Sequence, residues 1–411
     1  MTTTATHISR WAEQATPTTV EGWLARAAEV AAILAQDQVA RDRAQAVPYA
    51  EVQLLKDSGL TTLLGPVQHG GGGQRWETAY QIIRKVSSGD GSIGQLLAYH
   101  YLWAWAVRLV GTPAQIEAIE ALYTSQNLFF GGAVNPRDGD VTITEEVDGK
   151  LHYNGRKSFC TGSKISDLTV LEGILAGTDK HIFAIVPSKQ PGIIYHDDWN
   201  HLGHRLSESG SVTIEDVVID WSGAAGYVDK VYQDRPYATL NLPAIQQIFT
   251  EIYLGTAQGA LETAATYTKS KTRAWPYGGD NKQSATEEWY ILEAYGTLQS
   301  RLWAAQALAD ATGAEIAQLL HAERDSVTPQ QRGEVAVRIA AAKQVAVDVG
   351  LEIGTRVFEV TGARATSNDV GLDIYWRNLR THSLHDPIAY KRREVGAYAL
   401  LGEIPEATWY T

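Results

Sequence analysis

The apolar spacing of this chain changes period twice, and that double switch restricts it to helices, then strands, then helices again. Between residues 20 and 125 the spacing is helical. Leu24, Ala27, Ala28, Val30, Ala31, Leu34 and Ala35 form one stripe and Ala79, Ile82, Ile83 and Val86 another, with the run Gly70 to Gly73 as an interruption. From about Leu128 to Val231 the pattern becomes short and alternating. The predicted strands begin at Val141, Leu151, Leu168, His181, Gly192 and Ser211, each bounded by Gly, Asp, Asn or Pro. After Pro243 helical spacing returns, and the alanine-rich stretches 302–316 and 336–349 read as closely packed bundle helices. The expected division is a helical unit at 1–127, a β unit at 128–235 and a helical bundle at 236–411, a size that suits two or three structural units.

Charge and cysteine usage narrow the function. Against 35 Lys and Arg stand 47 Asp and Glu, a net charge of −12 that disfavours a nucleic-acid backbone as partner. One cysteine, Cys160, rules out an internal disulfide framework or a multi-thiolate metal site within one chain, and the scattered His69, His100, His152 and His204 have no metal-ligand spacing. No metal is expected. With no run of about eighteen apolar residues and no apolar signal core, the expectation is a cytoplasmic protein without a membrane span. The Gly70 to Gly73 run lacks the Lys and Ser/Thr of a P-loop, and no Gly-x-Gly-x-x-Gly joins a strand to a helix, so a resident nicotinamide domain is not indicated.

The densest chemistry lies at residues 376–391, which hold His382, His385, Asp386 and several cations. On a helix ending near Asp386, His382, His385 and Asp386 would share one face, setting an imidazole beside a carboxylate. Asp386 before Pro387 also reads as an N-cap with Pro at the first helical position. Tryptophan and tyrosine (12 and 19, against 6 Phe) give the chain the aromatic weight for a flat apolar ligand, or for core and interface filling.

The helix, sheet, helix order, the 57–66 segment with its glycine run, Asn154 to Ser163, and Gly203 to Ser207 leading into 209–217 resemble the acyl-CoA dehydrogenase fold family across nearly the whole chain. That resemblance implies a mainly α protein with an N-terminal helical domain, a middle β-barrel or sandwich and a C-terminal four-helix bundle. Asp90 to Gly94, Phe159-Cys160, His196 to Trp199 and Thr381 to Pro387 look similar to the dibenzothiophene monooxygenase branch. A dehydrogenase needs a glutamate base, and His385-Asp386-Pro387 stands where many members carry theirs. In the monooxygenase branch, reduced flavin meets O2 and holds a peroxide at its C4a carbon, and the site must supply protons and exclude water.

The resemblance therefore implies a two-component monooxygenase using reduced FMN, with FAD as the alternative, to oxygenate a small aromatic heterocycle of organosulfur or indole type. A separate NAD(P)H-dependent flavin reductase would supply the flavin by diffusion, and the chain would assemble as a homotetramer. An acyl-CoA dehydrogenase, or a flavin-binding protein without turnover, is the competing expectation. By the same resemblance His385 serves the oxygen intermediate with Asp386 orienting it, and Tyr99 stands at the substrate and oxygen pocket. Thr161, Trp199, Ser209, Arg273 and Arg364 bind flavin, Arg364 from a neighbouring subunit. Phe129, Phe130, Gln95 and Gly132 line the substrate pocket. Gln95 and Gly132 stand where the branch has His and Asn, a loss of polar groups that points to a different substrate.

Overall fold

The computed structural model describes residues 10–135, 141–278 and 281–408. Five helices come first: α1 (Val20–Ala44), α2 (Tyr49–Asp57), α3 (Trp76–Gly89), α4 (Gly91–Val110) and α5 (Pro113–Gln126). Seven strands form one sheet: β1 (Phe130–Ala133), β2 (Val141–Glu145), β3 (Leu151–Lys157), β4 (Leu168–Leu175), β5 (His181–Pro187), β6 (Ile193–Tyr195) and β7 (Val212–Ile219). After a small hairpin, β8 (Tyr227–Val228) and β9 (Val231–Tyr232), come α6 (Asn241–Ser270), α7 (Trp289–Leu320), α8 (Pro329–Thr361), α9 (Asp373–His382) and α10 (Ile388–Leu401). Among the described residues no helix is long and apolar enough to cross a membrane.

All six expected strands form, and β1, with two glycines in four residues, is the strand of this sheet that the alternation did not single out, as it did not the short β8–β9 hairpin. β1 and β2 both run parallel to β4, β1 along its first half and β2 at its last two residues, while β5 pairs antiparallel with its other edge. Between β3 and β7 the register shifts after Tyr153, and Asp216 takes a left-handed backbone with its N–H donated to Asn154 Oδ1. The extra residue lets β7 bury Val212 and Ile214 before the bulge and Val217 and Ile219 after it, all into the core of the sheet.

The α1 stripe differs in detail from the expected one. Ala28 and Ala35 face solvent, while Trp23, Ala27, Val30, Ala31 and Leu34 are buried, because the seam is completed by a tryptophan one turn earlier. The early and late helices share one hydrophobic core. A Cβ on Gly255 of α6 would lie 2.2 Å from the Arg84 carbonyl oxygen of α3, and one on Gly259 would lie 2.3 Å from that of Ser88. Beside this crossing the fully buried Glu251 accepts from Arg84 Nε at 2.6 Å and from Gln247 Nε2 at 2.9 Å. α4 follows α3 after one residue, Asp90, whose Oδ1 caps Ser92 and Ile93 while Oδ2 accepts from Arg41.

Gly255→Ala is expected to destabilise the protein by about 1–3 kcal/mol through overpacking. Gly296→Ala, on an exposed stretch of α7 where a Cβ meets nothing within 4 Å, should instead leave stability unchanged or raise it. Thermal denaturation of the two variants checks the contrast.

Candidate active site

The positions of α4, α6 and α9 leave a cavity of about 760 Å³ between them and the sheet. One face of α4 supplies Gln95, Tyr99 and Trp103, four residues apart and so in line along the helix. The first turns of α6 supply Asn241 and Gln246, the end of α9 supplies Arg380, Thr381 and His382, and the following turn supplies His385. Gly132, Thr161, Ser209 and Trp199 come from the sheet and its loops. α9 is fixed to the rest by Arg377, which donates to Asp42 Oδ2 of α1 at 2.6 Å and to the Leu202 carbonyl at 2.8 Å. Asn378 accepts from the His204 N–H at 2.7 Å, which seats the loop carrying Trp199.

On the sheet side, the Thr161 and Ser209 hydroxyls lie 2.8 Å apart, and Gln95 Nε2 donates to Thr161 Oγ1 at 3.4 Å. Trp199 stacks on His201 with ring centroids 3.8 Å apart and donates its indole N–H to the His204 carbonyl. Phe159 stands edge-on to Trp199 at the cavity wall, 59% exposed and with φ of 55°, an uncommon conformation for a bulky side chain. Gly132 is required by its neighbour: a Cβ there would come 2.5 Å from the Trp103 indole.

On the helical side, the structure revises the expected helix. α9 ends at His382, capped by Ser383, and backbone hydrogen bonds from Leu384 to Thr381 and from His385 to His382 continue the turn. The two imidazoles therefore still lie on one side, with centroids 6.0 Å apart. Asp386 is not an N-cap. Pro387 occupies that position, and the Asp386 carboxylate instead accepts from the ammonium of Lys343 on α8, fully buried. Its Oδ1 also lies 3.6 Å from His385 Nδ1. Burial pushes the Asp386 carboxyl pKa up, but His385 and Lys343 outweigh it and hold the group well below the usual carboxylate range. Burial lowers Lys343 to about 8 against the pull of Asp386.

Two further histidines stay neutral. Burial, with His204 and His385 nearby, holds His382 well below the ordinary imidazole value, and burial lowers His204 to about 3. Tyr99 is raised by burial and by Asp386, so its phenol keeps its proton. Several buried polar atoms of the wall have no hydrogen-bond partner among the described residues: Gln95 Oε1, Trp103 Nε1, His204 Nδ1, Asn241 Oδ1, Thr381 Oγ1 and His382 Nε2. Unpaired buried polar groups are costly, so this wall is built to meet the polar edge of a ligand. None of the described lining residues is an Asp or Glu, and no cluster of described residues could hold a metal ion.

Of the residues singled out from sequence, Gln95, Tyr99, Gly132, Thr161, Trp199, Ser209 and His385 line this cavity, and Asp386 lies directly behind it. Phe129 and Phe130 do not. Phe129 stacks on His100 at 4.7 Å and Phe130 meets Tyr123 edge-on, both in the closed core, and the residue of β1 that lines the cavity is Gly132. Arg273 and Arg364 lie on the exposed surface, off the cavity wall of this chain. Trp103, in line with Gln95 and Tyr99 along α4, also lines the wall. Sequence reasoning missed Lys343, a buried cation within an alanine-rich run. Gly132→Ala is expected to cost about 1–3 kcal/mol by forcing the Trp103 indole aside. The double variant Gly132→Ala/Trp103→Phe should recover part of that loss in thermal denaturation, and strict additivity would refute the coupling.

Two family models match the chain, acyl-CoA dehydrogenase N-terminal domain over residues 24–120 and acyl-CoA dehydrogenase C-terminal domain over 248–389. The dibenzothiophene monooxygenase of Rhodococcus qingshengii is 36% identical over 379 residues, 89% of this chain and 90% of its own length. The complex of TdsC from Paenibacillus sp. A11-2 with FMN and indole superposes with a TM-score of 0.90 at 36% identity, covering 95% of this chain and 99% of that one. Methanesulfinate monooxygenase MsuC from Pseudomonas fluorescens gives a TM-score of 0.90 at 36% identity, covering 94% and 99%. With this likeness running through both helical regions and the sheet, the chain belongs to the acyl-CoA dehydrogenase family, in the monooxygenase branch that includes dibenzothiophene monooxygenase.

Proposed function

We propose that this protein is a reduced-flavin monooxygenase that binds FMN and a small hydrophobic aromatic heterocycle, of organosulfur or indole type, in the cavity beneath α4. The observation that carries this reading is a wall of histidines, neutral polar groups and the guanidinium of Arg380, with no carboxylate among its described residues. An acyl-CoA dehydrogenase must abstract a carbon-bound proton with a carboxylate facing the substrate. Here Asp386 is turned into an ion pair with Lys343, and Glu251, on the neighbouring helix, is buried against Arg84. Neither is free for that task.

The residues fit a flavin. Its heterocyclic edge offers the donors and acceptors that the unpaired wall atoms lack, and Trp199, Thr161 and Ser209 offer a ring and two hydroxyls on the sheet side. When bound, reduced FMN supplies the electrons by which O2 gives one oxygen atom to the substrate and the other to water. The chain's own part is to enclose the site, to position the heterocycle against Tyr99 and Trp103, and to supply and accept protons at His385, whose imidazole is the titratable wall group closest to a fixed carboxylate. The relatives named above suggest the substrate class. The heterocycle is oxygenated at sulfur, carbon or nitrogen.

The remaining features belong to the same reading. Reduced FMN comes from a separate NAD(P)H-dependent reductase in the cytoplasm. The protein is a homotetramer of three-part subunits divided at 1–127, 128–235 and 236–411. Arg273 serves the flavin phosphate and Arg364 reaches the same phosphate in a neighbouring subunit, a reading supported by exposed guanidinium groups without a hydrogen bond or ion pair to the described residues. Protein, NADH, FMN and an unrelated flavin reductase should together convert indole or dibenzothiophene to an oxygenated product, and omission of the reductase should abolish it. Bleaching of bound flavin by an acyl-CoA, without oxygenated product, would move the protein to the dehydrogenases. His385→Ala should keep FMN affinity, lose about 10²-fold or more in product formation and release more hydrogen peroxide. Unchanged coupling removes His385 from the reaction.

A further inference from the structure

Lys343 has no role that packing explains. It lies on α8 with Ala340, Ala342, Ala346 and Val347, all buried, where an apolar side chain would fill the same space without carrying a charge out of water. Three of the described residues around its ammonium lead to the active site. It donates to Asp386 Oδ1, donates to Gln246 Oε1 at 2.5 Å, and lies 5.3 Å from the centre of the Phe249 ring. Gln246 is on the cavity wall, and Phe249 packs 4.7 Å from the His385 ring and 4.5 Å from that of His382. The same Asp386 oxygen that meets the ammonium faces His385 Nδ1 at 3.6 Å.

We propose that Lys343 is a positioning residue for His385: it holds Asp386 as a fixed carboxylate against Nδ1, so that the proton-bearing nitrogen is set and Nε2 is turned to the cavity. This use of the imidazole rests on the monooxygenase reading. The other titratable groups around the carboxylate do not take the place of Lys343. Tyr99 of α4 and Tyr253 of α6 keep their protons, and His382 of α9 stays neutral with Nδ1 2.9 Å from the Tyr253 hydroxyl. Lys391 and Glu394 of α10 pair with each other at 2.9 Å. Among the described residues, only Lys343 donates a hydrogen bond to Asp386 within 3.5 Å.

The test follows the His385 imidazole by NMR in histidine-labelled full-length protein, with His385→Ala identifying the signal. Removing a cation favours the charged imidazolium and removing a carboxylate disfavours it. Relative to wild type, Lys343→Met should therefore raise the titration midpoint of that signal and Asp386→Asn should lower it. Opposite signs place both charges in contact with the imidazole, and the turnover readout below separates positioning from charge alone. If Lys343→Met does not fold, the doubly neutral Lys343→Met/Asp386→Asn replaces it, and its midpoint should lie above that of Asp386→Asn alone. Displacement in one direction for both single variants, no displacement, or equal midpoints in the Asn variant and the double variant overturns the link. In turnover with indole and reduced FMN, Lys343→Met should lose product and gain peroxide with FMN affinity kept, and full coupling would overturn the positioning role. A wild-type protein that makes no oxygenated product fails the monooxygenase reading separately, while the signs of the NMR displacements still judge the contact between Lys343, Asp386 and His385.

Discussion

The close crossing of α3 and α6 is the constraint on which the rest of the molecule depends. Two glycines one turn apart bring the α6 backbone against the carbonyls of Arg84 and Ser88, an approach that any larger residue would prevent. Because only Asp90 separates α3 from α4, fixing α3 fixes the start of α4 and with it the line of Gln95, Tyr99 and Trp103. The same α6 sends its first turns to the opposite wall. The cavity is thus set by helices belonging to both ends of the chain, and its shape is a consequence of backbone contact more than of side-chain choice.

Charge is placed around this cavity by displacement. The carboxylate next to the cavity, Asp386, is drawn back by Lys343 and leaves the neighbouring His385 on the wall. A buried ion pair adds little to stability when compared with apolar residues of similar volume, yet breaking one is expensive. What the arrangement gives is a permanent local field beside an imidazole, while burial keeps His204 and His382 uncharged. Apart from the histidines and Arg380 the described wall residues are apolar or neutral polar, which suits an apolar substrate.

Much of the fold was legible in the sequence because period two and period 3.6 are local properties, and the switch between them near residues 128 and 240 is sharp. β1 escaped notice because glycine has little strand preference, and its reason for being there, the indole of Trp103, is contributed by another element. For the site, residue type and spacing alone marked only His382, His385 and Asp386. Thr161, Trp199 and Ser209 could be pointed to only through family resemblance, since a hydroxyl on a loop carries no signal of what it faces. The partner of Asp386 was hidden for a different reason: 43 positions separate it from Lys343, and the nearby Pro387 offered a local explanation that the tertiary pairing overrode. Phe129 and Phe130 lie off the cavity because His100 and Tyr123, supplied by helices distant in sequence, take up their rings in the core, a pairing that strand alternation does not reveal.

The contact between Gly132 and Trp103 also bears on how the pocket can diverge. A lineage that reaches an amide at position 132 while the indole is still present must pass through an overpacked intermediate, whereas shrinking the indole first opens an unfilled space that later residues can occupy. The order of substitutions is therefore constrained, and the two positions are expected to evolve as an epistatic pair. Substrate range in this enzyme would then change in jumps between compatible pairs of residues and not by gradual adjustment of one side chain.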